Sequence, residues 1–262
     1  MSYETLSLER RGHVVELTLT RPELMNRVDD AAHRELIAVF RDLEVDHDAR
    51  VVVFTGAGKV FSAGGDFELM LEGNASLAKR SATITDGYRM LDALLEVPMP
   101  VVAALNGDAI GLGATLALSC DAVVAHRGVR ISDPHVPIGL VAGDGGCVVW
   151  PEAIGMLRAK RYLLTGDRLD AEEAHRIGVV TDLVDTAEDV LPVARGLADR
   201  IAGLPPLAVR GTKRSLNQVL QMRFREVMPV SLMHELVSMG SDDIREAIAA
   251  FRAKRDPTYT GT

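Results

Sequence analysis

The chain has only two cysteines, Cys120 and Cys147, and they lack the CxxC spacing of a redox or thiolate-metal motif. They read as structural thiols in a reducing, cytoplasmic setting, and no metal site is expected. A basic excess is missing as well. Lys and Arg number 29 against 37 Asp and Glu, a net charge of −8, which excludes a general nucleic-acid or anionic-membrane face because those partners need positive charge. No apolar run reaches the roughly 18 residues of a membrane span, and the opening MSYETLSLERRG has no apolar signal core. What is present is an ordinary soluble composition, 47% hydrophobic and 25% charged over 262 residues. That length buries a sizeable core without staples, as one large domain or two small ones.

Periodicity divides the chain. Tyr3 to Leu8 and His13 to Thr20 alternate in the strand period around Arg11-Gly12, which predicts an opening hairpin. Asp29 to Asp42 carries apolar residues at helical spacing, with Asp29 or Asp30 as the cap. Three β-rich runs follow, Arg50 to Thr55, Pro100 to Leu105 and Ala122 to Ala125, separated by helical segments. Such alternation implies crossover connections and largely parallel pairing, an α/β fold. Beyond about residue 190 helical patterns take over, at Val190 to Ala202, Leu207 to Arg223 and Phe224 to Ala253, punctuated by Pro205-Pro206 and Pro229.

Two glycine-rich stretches carry the functional information: FSAGGDF, from Phe61 to Phe67, and NGDAIGLGATLALSCD, from Asn106 to Asp121. Each follows a β-branched apolar run and leads into a helical segment, so each reads as strand, glycine turn and helix start. Taken singly, such a stretch is explained by tight turns and close packing. Two facing turns could instead aim two free backbone N–H groups at one oxygen, the construction that holds a carbonyl as it becomes an enolate or a tetrahedral oxyanion.

With their surroundings the two stretches resemble the enoyl-CoA hydratase/isomerase family, the crotonase superfamily. The resemblance begins at Arg21, Pro22 and Asn26. It continues through FSAGGDF, Asn106-Gly107, Cys120-Asp121 and the stretch from Pro134 to Gly139, and reaches Arg158 to Val184 and Phe251 to Arg255. It implies a crotonase-like ββα spiral core over 1–190 that binds acyl-CoA, and a C-terminal helical region over 191–262 that builds a homotrimer or a dimer of trimers. It further implies coenzyme A as part of the substrate and no tightly bound cofactor.

Carried over residue by residue, the family motif places one oxyanion-hole N–H at Gly65 and the other at Leu112. The two glutamates with which the family's hydratases position water are absent; Thr115 and His135 stand there instead. A threonine hydroxyl is no general base near pH 7, whereas an imidazole of pKa about 6.5 is suited to the task. Asp144, nine residues beyond His135, is a possible orienting carboxylate. This His/Asp spacing is similar to the family branch containing 6-oxocamphor hydrolase, which cleaves a cyclic β-diketone by a reverse Claisen reaction. His33 and Glu235 fall near polar positions of that branch, while its histidine in the second glycine stretch is replaced by Leu112. Plainer readings stay open: a loop histidine satisfied by backbone at 135, a turn aspartate at 144, a surface or half-buried His33 and a solvated Glu235. Thr115 either lines the pocket or bonds its own helix.

For coenzyme A the resemblance points to Asn26, Arg27, Ala63 and Asp66 at the first glycine turn, and to Phe251 and Lys254 near the C-terminus. The alternative for Arg252, Lys254 and Arg255 is a basic helix end favoured by the helix dipole. Three functions therefore stand: an acyl-CoA enzyme using His135 and Asp144 as acid/base, a CoA-independent hydrolase of cyclic β-diketones, and a catalytically silent CoA-binding or RNA-associated relative.

Overall fold

A computed structural model describes residues 3–262. The opening hairpin pairs β1 (Leu6–Arg11) antiparallel with β2 (Val14–Leu19), Arg11 facing Val14 across the turn. Helix α1 (Asp30–Glu44) follows, its first turn capped by the Asp29 carboxylate accepting from the Ala32 N–H. A unit then repeats in which one strand joins a large sheet and the next joins a small one. β3 (Val51–Gly56) and β4 (Val60–Ser62) lead into α2 (Phe67–Ala75) and α3 (Leu77–Glu96). β5 (Val101–Leu105) and β6 (Asp108–Ile110) lead into α4 (Leu112–Leu118). β7 (Ala122–His126) and β8 (Arg130–Ser132) lead into α5 (Gly146–Ile154) and α6 (Met156–Thr165). Short β9 (Leu169–Asp170), α7 (Ala171–Arg176) and β10 (Asp182–Val184) close this part.

The large sheet runs β1-β2-β3-β5-β7-β10, parallel from β2 onward, and the small one runs β4-β6-β8-β9. This is the α/β spiral of ββα units. The all-apolar VVVF of β3 needs cover on both faces, as parallel strands do. Leu17, Val52, Phe54 and Ala103 enter the main core with Phe40 and Leu36 of α1. Val51, Val53, Val102 and Val124 point the other way, against Val190, Ala194 and Ala198 of α8 (Ala187–Ala202). Cys120 and Cys147 are free, and burial pushes both thiols up, which keeps them protonated and unreactive.

The C-terminal helices differ from the sequence expectation. No break falls at Arg223 or Pro229: α9 runs unbroken from Pro206 to Met239. An internal proline loses a hydrogen bond and crowds the preceding turn, at about 3 kcal/mol. The helix is carried across by burial on both sides, with Phe224 and Met228 before Pro229 or at it, and Ser231, Leu232 and Glu235 after it, packed against α3 and α5. The interruption comes at Gly240-Ser241, after which α10 (Asp242–Ala253) turns back. Among the described residues no helix is long and apolar enough to cross a membrane.

Candidate active site

The small sheet positions the site. Its parallel strands β4, β6 and β8 lie side by side, and the segments leaving their C-terminal ends, where parallel α/β sheets place their ligands, meet one another. After β4 come Ala63, Gly64, Gly65 and Asp66; after β6 come Gly111 and Leu112; after β8 come Asp133, Pro134 and His135. The first two turns pack backbone against backbone. Gly64 has φ +84°, and a Cβ there would lie 2.4 Å from the Ile110 carbonyl oxygen and 3.2 Å from the Leu112 nitrogen. Leu112 is the first residue of α4, so its N–H has no intrahelical acceptor. A Cβ on Gly111, which has φ +54°, would stand 3.6 Å from Cε1 of His135, so the third turn abuts the second.

His135 is buried between two carboxylates. Its Nδ1 bonds Asp133 Oδ1, and its Nε2 lies 3.2 Å from Asp144 Oδ2. Burial pushes the ring down, but the charges of Asp133 and Asp144 and their hydrogen bonds outweigh it and hold His135 well above its ordinary value. The two carboxylates thus favour the protonated ring. Asp133 is a member of this cluster that the sequence reading did not single out. Its signal was a carboxylate directly after a small-sheet strand, two residues before the histidine. Asp133, His135 and Asp144 offer potential ligand atoms within 4.8 Å of one another, yet each ring nitrogen already faces a carboxylate, which leaves neither for an ion.

Gly65, Leu112, His135 and Asp144 line one small chamber of about 40 Å³. Glu235 of α9 and His33 of α1 also line it, and neither is solvated: both are 5% exposed. Burial, joined by the negative charge of Asp144, pushes the Glu235 carboxyl up to about 8, so it is protonated at neutral pH. Burial pushes His33 below its ordinary value. Its Nδ1 lies 3.0 Å from the Asp29 carbonyl oxygen, which only accepts, so Nδ1 carries the hydrogen and Nε2 keeps a lone pair. Oδ1 of Asp144 and Oε2 of Glu235 are buried without a hydrogen-bond partner.

The Oγ1 of Thr115 is buried without a hydrogen-bond partner; the residue lines neither this chamber nor the groove below, and its methyl sits 2.6 Å from the Cβ position of Gly145, under the turn that follows Asp144. A groove of about 640 Å³ lies beside the chamber, and Gly65, Met70 and His135 border both. Arg27, Ala63 and Phe251 line this groove, with Arg255 of the basic helix end and with Arg168 and Tyr259, which the sequence reading did not single out. Asn26 lies outside it: its amide bonds the Ala57 and Val60 carbonyls and holds the turn. Asp66 faces the chamber, caps α2 and pairs with Arg27 at 2.5 Å. Lys254 caps α10 in the left-handed conformation, exposed and apart from the groove of its own chain.

A ββα spiral with an acid/base cluster at the ends of its small-sheet strands defines a class, and comparison with known proteins gives the family. The sequence pattern of the enoyl-CoA hydratase/isomerase family matches residues 9–262, and the chain belongs to that family. It is 33% identical over 264 residues to a probable enoyl-CoA hydratase of Mycobacterium leprae, the match covering 99% of either chain. Among solved structures, an enoyl-CoA hydratase/isomerase from Mycobacterium paratuberculosis superposes with a TM-score of 0.90 at 37% identity, over 95% of this chain and 99% of that one. A β-diketone hydrolase from the cyanobacterium Anabaena superposes with a TM-score of 0.85 at 29% identity, over 93% and 96% of the two chains.

Proposed function

We propose that this family member transforms the acyl group of an acyl-CoA thioester with the His135/Asp144 pair in place of the family's two glutamates. The observation that carries the reading is the chamber itself. Gly65, Leu112, His135, Asp144 and Glu235 border one small space, which lies beside a groove lined by Arg27, Ala63 and Phe251. The thioester oxygen sits between the N–H groups of Gly65 and Leu112, which stabilise the enolate that forms there. Asp144, held by the His135 imidazolium, has Oδ1 free to take a proton from water or from the substrate. Glu235, protonated at neutral pH, returns a proton to the enolate carbon. Hydration balances on these two groups: water gives its proton to Asp144 and its hydroxide to the β-carbon, and the α-carbon receives the proton of Glu235.

Coenzyme A enters as part of the substrate, along the groove. Exposed Leu207, Leu216, Val219, Met222 and Met233 on α9 support association with further copies, as a homotrimer or a dimer of trimers. A second reading, hydrolytic C–C cleavage of a cyclic β-diketone without CoA, is favoured by the His/Asp cluster and by the likeness to the Anabaena hydrolase. Incubation with enoyl-CoA, β-ketoacyl-CoA and cyclic diketone substrates, with products identified by mass, separates the two. Water added to a CoA thioester of intact carbon skeleton supports the first reading; ring opening of the diketone alone overturns it.

A further inference from the structure

Helix α3 borders the chamber with Thr83, Ile84 and Gly87, residues that share one helical face. Glycine inside a helix is destabilising relative to alanine, so a glycine there needs a reason. At Gly73 of α2 the reason is close packing, since a Cβ would stand 2.7 Å from the sulfur of Met239. Gly87 has no such neighbour. It is buried, yet a Cβ built on it meets no atom within 4 Å. Among the described residues the other glycines with open surroundings, Gly12, Gly155, Gly178, Gly196, Gly211 and Gly261, are exposed to solvent. The open space at Gly87 is the chamber.

We propose that Gly87 sets the depth of the acyl chamber and restricts the substrate to a short acyl group, an inference that rests on the acyl-CoA reading above. The chamber measures about 40 Å³, against roughly 10 to 15 Å³ for one water, and the thioester carbonyl held by Gly65 and Leu112 shares it, so only a short acyl group fits. Met70 borders both chamber and groove. Each carbon added at position 87 takes part of that space, valine more than alanine.

The test is calorimetric binding of acetyl-CoA and butyryl-CoA to the full chain and to its Gly87→Ala and Gly87→Val variants, with circular dichroism and Tm as checks of folding. Gly87→Val is expected to weaken butyryl-CoA by roughly 10- to 200-fold and acetyl-CoA, with its single methyl, several-fold less, and Gly87→Ala is expected to give a smaller loss of butyryl-CoA together with a raised Tm. Equal effects on the two thioesters in a folded variant overturn the inference. If Gly87→Val does not fold, the alanine variant decides by the same comparison. If the wild-type protein binds neither thioester, the acyl-CoA reading fails separately, and turnover of a small cyclic 1,3-diketone takes over as the readout. The role of Gly87 then stands if valine lowers that turnover at least roughly tenfold. It falls if turnover is kept, or if wild type accepts neither class.

Discussion

Replacing Glu235 by glutamine keeps the shape of the side chain and the neutral charge of its protonated form, but removes the proton. In the folded protein this carboxyl is pushed from 4.5 up to about 8 by burial and by Asp144. Below about pH 4.5 the acid is protonated in folded and unfolded chains alike, and the substitution should be nearly neutral. Between there and pH 8 the unfolded chain releases the proton while the folded one keeps it, so the wild type loses about 1.4 kcal/mol of stability per pH unit through this group. Glutamine escapes that loss. The variant should therefore gain on the wild type steadily, by about 3 kcal/mol at pH 7, with a plateau above pH 8. Urea unfolding of both proteins at pH 4.5, 6, 7 and 8 reads this difference, at one fixed protein concentration because association adds to apparent stability. All other titrating groups are common to the two chains and cancel in the comparison. A stability difference that stays constant across the series refutes the claim that Glu235 is buried as a neutral acid. In the same variant turnover should fall by about 100- to 10,000-fold, the usual contribution of a positioned proton donor.

Further substitutions probe the other groups. His135→Ala leaves the Asp133 and Asp144 carboxylates facing each other without their cation, and should cost about 3–5 kcal/mol in a denaturation experiment near pH 7; a loss under about 1 kcal/mol would show that the clamp is not formed. Asp133→Asn removes the carboxylate at Nδ1, so the ring should titrate at a lower pH. The stability that the clamp contributes is full below the ordinary imidazole value of about 6.5 and is lost as pH rises through the raised one. The variant's loss should begin earlier, and an unmoved imidazole titration by NMR counts against the arrangement. Gly65→Pro deletes one amide donor and should lower turnover by about 100- to 1,000-fold with the circular dichroism spectrum preserved. Near-normal turnover in that variant removes Gly65 from the oxyanion hole.

Local sequence was sufficient wherever local forces decide. The hairpin was legible because its period-2 alternation and the Arg11-Gly12 turn are properties of adjacent residues, and α1 because Asp29 caps a regular apolar stripe. The glycine turns were legible because few residues fill such φ values. Pro229 shows the limit: the local signal said stop, and the burial of Phe224, Met228 and Leu232 overrode it. The chamber was beyond reach for a related reason. Its walls are drawn from α1, α3 and α9, so the fate of His33, Gly87 and Glu235 depends on which faces of distant helices converge. On a polar helical surface Glu235 would be solvated. Here it is buried, and only tertiary packing distinguishes the two.

The cluster also explains why the loss of the family's glutamates need not silence the site. Two carboxylates crowded into one pocket repel, and one of them must keep a proton. In this chain the imidazolium of His135 sits between Asp133 and Asp144, so their two negative charges are offset by one positive charge on the spot. The remaining negative charge bears on Glu235 and helps to keep it neutral. A carboxylate and a carboxylic acid pushed up to about 8 thus share a single charge arrangement. Proton transfer in both directions is the requirement shared by hydration, isomerisation and C–C cleavage at an enolate. What selects among them is therefore the shape of the space beside these groups, which Met70, Leu112 and Gly87 define.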